Sequence, residues 1–406
     1  MSLARYTEPD RPWTRRAFSK EFAAGRAWLQ TEMRLAGLTP VIDAAGNLIG
    51  RAEGREAAAG TIMVGSHSDT VAGGGRFDGI AGVIAGLEVA AALKASGRRL
   101  RHALEIVDFL AEEPNDFGLS CIGSRGMAGQ LEPQMLERVS PAGFSLKDSL
   151  AAVGAPAKPV ASAVRSDLAA FFELHIEQGP VLEQTGREIG IVTHIVGIRR
   201  LRVRFAGQAS HAGTTPFALR QDALVAAARF VTSLRQAVER AHSQGPFVIA
   251  TVGELTVVPN APNVVPGEVR VTVDVRSEAA PELERWSAEI ETLARAACGR
   301  DARLAECTLL SASLPSACAP ALAEVLRQAV TDLKLTHQDI VSGAGHDAAF
   351  VARVAPAAML FVPSRGGLSH SSEEWTEPEA LAKGVAVLLR AVERFGATGD
   401  DAGSPT

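Results

Sequence analysis

Residues 61–95 read TIMVGSHSDTVAGGGRFDGIAGVIAGLEVAAALKA, and this stretch sets the fold class. Thr61 to Gly65 has the make-up of a short buried strand. Gly79 to Ala95 is apolar nearly all round, the mark of a helix buried on every side. The polar loop between them holds His67, Asp69 and Asp78. Open α/β sheets place their sites in such loops, where a strand ends and a helix begins.

Working outward, the same alternation recurs. Phe18 to Ala36 carries Phe22, Trp28, Leu29 and Met33 near helical spacing, with Gly37 where a C-cap glycine belongs. Asp43 to Asn47 reads as a hairpin turn. Ala103 to Leu110, Phe171 to Ile176 and Ala358 to Val362 read as further strands. Strands alternating with buried helices predict an α/β layer with a mixed, mostly parallel sheet flanked by helices. Near Ile195 the pattern changes. Leu201 to Phe205 alternates as a half-exposed strand, Gln221 to Glu239 is a helix, Phe247 to Val258 and Glu268 to Arg276 are strands, and Pro281 to Cys298 is a helix. That order predicts a small α+β module with an open sheet. The chain is therefore expected to divide into residues 1–194 plus 315–406, interrupted by an inserted module at 195–314. The polar, Gly-rich end, Gly396 to Thr406, is expected to fray.

At 406 residues two domains are the starting expectation, and 47% hydrophobic with 21% charged residues places the chain among globular proteins. A net charge of -5 argues against nucleic acid as a partner. No apolar run is long enough to span a membrane, and the start MSLARYTEPDRPWTRR lacks the apolar stretch of a secretory signal. Cys121, Cys298, Cys307 and Cys318 form no C-x-x-C pair, so reduced thiols and a cytoplasmic location are expected.

Chemistry gathers at the strand ends. His67 lies in GSHSD and Asp78 in GRFDG; imidazole and carboxylate suit zinc and similar cations. Asp69 is placed to accept the second N–H of His67 and fix its tautomer. Glu112 and Glu113 follow the strand at Ala103; adjacent carboxylates at a strand end point apart, so one can bind metal while the other moves protons. His175 and Glu177 end a third strand, and His370 follows a fourth, in GLSHSSEE. Four strand ends each carry a His or a carboxylate, a convergence that chance placement on a surface does not supply.

The stretches GSHSDT, GGRFDG, AEEPN, LHIEQGPVLE, GQASHAGTTP, NVVPGEV with DVRS, GAGHDA and GLSHSSEEW, in this order along nearly the whole chain, resemble the zinc-dependent amidohydrolases of the M20 superfamily. The resemblance is to the hydantoinase/carbamoylase branch, whose members hydrolyse N-carbamoyl-L-amino acids, allantoate or β-ureidopropionate. It implies a catalytic domain carrying two divalent metal ions per subunit, zinc foremost, with manganese, nickel or cobalt as alternatives. It also implies that the inserted module is a lid and dimerisation domain. His67 and His175 would share one metal, His370 and Glu113 the other, and Asp78 would bridge both. Glu112 would be the general base. His211 would stand beside the developing oxyanion, reaching the neighbouring subunit of a homodimer. Gln178 would touch the ureido group, and Asn263 and Arg276 the carboxylate of a small-molecule substrate. The implied reaction cleaves a C–N bond of an N-carbamoyl or related ureido or amide acid, with ammonia and carbon dioxide released from carbamoyl substrates. Peptidase relatives usually carry a carboxylate where this chain has His175. An M20 dipeptidase or aminoacylase, and a non-catalytic dimeric ligand-binding protein, are the rival readings. The chain departs from the branch at Asp116, where an Arg is common, which changes the charge expected near the site entrance. His346, in GAGHDA, is read as either a substrate-loop or a packing histidine.

Overall fold

The computed structural model describes residues 3–243 and 245–397. They form two compact units, Met1–Thr193 with Ala317–Thr406, and His194–Ser316. Most of the tail expected to fray lies outside the described residues; Gly396 and Ala397 close the helix Pro378–Ala397.

The first unit is built on a nine-stranded sheet. Its strands are β1 (Thr39–Ile42), β2 (Leu48–Ala52), β3 (Thr61–His67), β4 (Ala103–Phe109), β5 (Leu168–Ile176) and β6 (Ile189–Ile195). In the second unit come β7 (Gly197–Ala206), β8 (Ser210–His211), β9 (Val248–Val258), β10 (Val264–Val265), β11 (Glu268–Ser277) and β12 (Arg303–Ser313). The large sheet is completed by β13 (Ser316–Ala317), β14 (His337–Ser342) and β15 (Ala357–Val362). Its order is β1-β2-β4-β3-β5-β15-β6-β13, with β14 on β6. The four central strands β4, β3, β5 and β15 run parallel, and β2 and β6 flank them antiparallel. Their burial is continuous rather than alternating, as expected of parallel strands covered on both faces. The helices Ile80–Ala95, Pro320–Asp332 and Pro378–Ala397 share one core with Ile62, Val64, Phe172 and Leu360. Because the central strands are parallel, all their carboxyl ends reach one edge. Register brings His67 opposite Phe109 and His175 opposite Phe361.

The second unit is a four-stranded antiparallel sheet, β12-β7-β11-β9. Along β7 and β11, Leu201, Val203, Phe205, Val269, Val271, Val273 and Val275 turn inward against the helices Ala223–His242 and Ala280–Cys298. The sequence pattern omitted β12, so the module is strand–helix–strand–strand–helix–strand. β12 is an edge strand with mostly exposed residues, and it lacks the alternation that marks β7 and β11.

Candidate metal centre

The parallel strands deliver the expected ligands to one edge of the first unit. His67, Asp78 and His175 offer donor atoms all within 4.8 Å of one another, and Asp78, Glu113 and His370 do the same. Asp78 belongs to both groups and divides its oxygens between them. Oδ1 lies 3.8 Å from His67 Nε2 and 3.2 Å from His175 Nε2, while Oδ2 lies 3.0 Å from His370 Nε2. Glu113 Oε1 is 3.4 Å from that same His370 nitrogen.

Hydrogen bonds orient the imidazoles. Nδ1 of His67 is 3.1 Å from the Asp69 carbonyl, and Nδ1 of His175 is 2.9 Å from the Ile176 carbonyl. A carbonyl only accepts, so each Nδ1 carries the proton and each Nε2 turns a lone pair toward Asp78. Gly79 confirms this for His175, since its N–H donates to Nε2 at 3.0 Å. Gly79 also has φ +64, and a Cβ there would fall 2.3 Å from His67 Nε2. Asp69 accepts the imidazole N–H, as expected, and does more besides. Its carbonyl, not its carboxylate, takes the imidazole proton, and its carboxylate oxygens accept the backbone N–H groups of Glu112 and Glu113 at 3.2 Å each.

The backbone around these residues is strained. Ala111, Cys121, Gln178 and His370 all have φ between 52° and 58°, a region that costs an L-residue about 1 kcal/mol or more unless its surroundings enforce it. Such outliers concentrate where side chains must be aimed.

Electrostatics reinforce the demand for cations. Burial pushes the Glu112 carboxyl well above the usual carboxylate range, and Glu113, Asp347 and Asp69 push the same way against His67. Burial alone would lower His67, yet Glu112, Asp69 and Asp78 hold it well above its ordinary value. Hydrogen bonds to Asp78 and Glu113 push His370 up to about 10. A divalent cation held by these nitrogens and carboxylates would compete with protons for them. The donor set of imidazole nitrogens and carboxylate oxygens, with fixed tautomers, fits zinc or a similar divalent ion.

The remaining expected residues fall as follows. Glu112 Oε2 is 3.6 Å from His67 Nε2, at the ligand cluster. Gln178 Nε2 donates to Asp78 Oδ2 at 2.7 Å, and its buried Oε1 has no partner. Glu177 accepts the backbone N–H groups of Val181 and Leu182 with its two carboxylate oxygens. His346 is a buried histidine whose ring packs 4.6 Å from that of His175 and whose Nε2 meets Ser342 Oγ at 2.8 Å. Asp116 is ion-paired with Arg16, so the departure at this position leaves no unpaired charge.

His211, Asn263 and Arg276 all lie in the second unit. The β8–β10 ribbon pairs His211 with Val264, next to Asn263. Nδ1 of His211 accepts the N–H groups of Gly213 and Thr214 at 3.1 and 3.2 Å, which leaves the proton on Nε2. Arg276 Nε donates to Asp274 at 2.7 Å. Sequence reasoning assigned no role to Ser369, Glu374 or Cys121. Ser369 Oγ reaches Asp78 Oδ2 at 3.1 Å, and Cys121 Sγ reaches Glu112 Oε1 at 3.4 Å. Their only sequence signal was position, beside His370 or a few residues beyond Glu112.

Comparison with known proteins agrees with this geometry. A profile described as Peptidase family M20/M25/M40 matches residues 63–394. An N-carbamoyl-L-amino-acid amidohydrolase of Paenarthrobacter aurescens is 43% identical, over 96% of this chain and 95% of that protein. An allantoate amidohydrolase of Bacillus subtilis is 36% identical, over 95% of this chain and 93% of that protein. Among solved structures, a hydantoinase/carbamoylase-family amidase from Burkholderia multivorans superposes with a TM-score of 0.88 at 36% identity, covering 97% of this chain and 95% of that one.

Proposed function

The chain belongs to peptidase family M20/M25/M40 and to its hydantoinase/carbamoylase amidases, and from that premise we propose that it hydrolyses N-carbamoyl-L-amino acids at a two-metal centre. The observation that carries this reading is the Asp78 carboxylate, with one oxygen facing His67 and His175 and the other facing His370. His67, Asp78 and His175 would hold one divalent cation, and Asp78, Glu113 and His370 a second, zinc being the first candidate. Bound there, the pair would polarise the substrate carbonyl and acidify a water.

The chain's own groups do the rest. Glu112 takes the water's proton and returns it to the leaving nitrogen, the exchange expected of a carboxylate beside the metal ligands. For a carbamoyl substrate, R–NH–CO–NH2 and one water give R–NH2, carbon dioxide and ammonia. Gln178 Oε1, an acceptor lacking a partner, would receive a ureido N–H. His211, with its proton on Nε2, donates to the oxyanion, and Asn263 and Arg276 bind the substrate carboxylate. We further propose a homodimer in which His211 serves the neighbouring subunit. The four free cysteines support a cytoplasmic location.

A panel of N-carbamoyl amino acids, allantoate, N-acyl amino acids and dipeptides, scored by released ammonia and free amine, tests the substrate class. Turnover of dipeptides alone would overturn it. Glu112→Gln should lose about 100- to 10,000-fold in kcat while keeping its metals by elemental analysis. Retained turnover would remove Glu112 as the base.

A further inference from the structure

His370 is the outlying ligand. Its side chain is 48% exposed, whereas those of His67, Asp78, Glu113 and His175 are at most 6% exposed. It also sits on a loop after β15 with φ +52. An exposed imidazole on a strained loop needs something else to hold it, and residues 374 and 375 make the connection.

Glu374 is 1% exposed. Its Oε1 accepts the backbone N–H groups of Phe77 and Asp78 at 2.8 and 3.1 Å. Its Oε2 accepts the hydroxyl of Ser369 at 2.8 Å, and that hydroxyl also reaches Asp78 Oδ2. The approach is close enough to require glycine beneath it, because a Cβ on Gly75 would fall 1.9 Å from the Glu374 carboxylate. Trp375 grips the same loop by its ring. The Arg76 guanidinium lies 4.7 Å above it and the Phe77 ring meets it edge-on at 5.5 Å. Arg365, at the start of the His370 loop, covers Trp375 at 5.3 Å.

We propose that Glu374 and Trp375 are positioning residues: a clasp that fastens the His370 loop to the Asp78 loop and so sets the affinity of the Asp78–Glu113–His370 site more strongly than that of the other, with which it shares Asp78. The logic is geometric. His67 and His175 are held by strands and by carbonyls of their own segments, so they do not depend on the clasp. His370 meets Asp78 only while the two loops are joined. Groups that orient a metal ligand from behind are worth about 10- to 100-fold in metal affinity.

The inference rests on the two-metal reading above, and one titration separates the two. Metal-stripped full-length protein is titrated with zinc by calorimetry. Wild type should take two ions; fewer than two would overturn the two-metal reading and the clasp with it. Glu374→Ala and Trp375→Ala should bind one ion within about threefold of the wild-type Kd and the second at least about tenfold more weakly. Gly75→Ala should do the same, since its methyl displaces the carboxylate. Glu374→Gln keeps an oxygen for the two amides and an NH2 that can donate to Ser369 Oγ, so it should stay within about threefold of wild type. Two ions at unchanged Kd in Glu374→Ala, with only a lower Tm of the metal-free protein, would overturn the clasp. So would equal weakening of both ions, or a Gln variant as poor as Ala. Should Glu374→Ala not fold, as judged by far-UV circular dichroism, Gly75→Ala and Trp375→Ala decide in its place.

Discussion

At the scale of single residues, Cys121 shows how the Glu112 carboxyl, the proposed base, is aimed. Its thiol is buried and reaches Glu112 Oε1, and its own N–H donates to the Glu112 carbonyl at 2.9 Å. Burial, with Glu112 beside it, pushes the thiol well above its usual value, which favours the S–H form that donates to Oε1. With Oε1 capped, Oε2 is the oxygen turned toward His67. Cys121 also has φ +55, so glycine relieves strain there while deleting the donor. Cys121→Gly should therefore leave Tm unchanged or higher yet lower kcat about fivefold, and Cys121→Ser should restore most of it, because a lost hydrogen bond is worth about 1 kcal/mol. A Gly variant with full kcat would remove Cys121 from the mechanism. That the five candidate ligands would come together was legible because each sits in a short polar motif near the end of an apolar strand. Cys121, Ser369 and Glu374 were not. They act on backbone groups or on another residue's second oxygen, and residue type alone carries no record of that.

At the scale of elements, the central strands are pinned at both ends. At the amino end, Asp167 accepts Arg165 Nε at 2.7 Å and the Thr61 hydroxyl at 2.9 Å, joining the starts of β3 and β5. The hydrogen bond from Arg165 draws the Asp167 carboxyl down to about 2 from 3.8. A depressed folded-state value means the ionised form favours folding. That contribution is complete above pH 3.8 and is lost as pH falls through about 2. Wild type and Asp167→Asn should accordingly differ in urea midpoint at pH 6 and converge near pH 2; a constant gap would refute the assignment. At the carboxyl end, buried Arg26 bonds the Asp108 carboxylate at 2.8 Å and its carbonyl at 2.9 Å. Arg26→Ala strands that carboxylate and should cost about 3–5 kcal/mol in urea unfolding. The strands themselves were readable to within a few residues, as Ala103–Phe109 and Ala357–Val362 illustrate. Unbroken apolar runs leave little ambiguity. β12 escaped because an exposed edge strand such as Arg303–Ser313 buries too little to impose a period.

At the scale of the whole molecule, the inserted unit has its own core around Phe205, Phe230 and Trp286, and it carries His211 on a short ribbon rather than on the main sheet. The metal-ligand candidates and Glu112 gather within the first unit. If the oxyanion donor comes from the neighbouring copy, two defects in different units become separable. Glu112→Gln spoils the centre of its own chain, and His211→Ala spoils the centre of its partner. Each homodimer should be nearly inactive. In a mixed dimer the His211→Ala chain keeps its Glu112 and borrows the intact His211 of the Glu112→Gln chain, so one of the two sites is whole. Random re-pairing of equal amounts makes half the dimers mixed, so the mixture should regain roughly a quarter of wild-type turnover per subunit. Exchange has to be verified by mass, with differently tagged chains recovered together after dilution and reconcentration. Recovery of activity with mixed dimers present establishes donation across the interface. Verified exchange with no recovery means that His211 serves its own chain, and a protein that sediments as a monomer with full turnover rules out the dimer altogether.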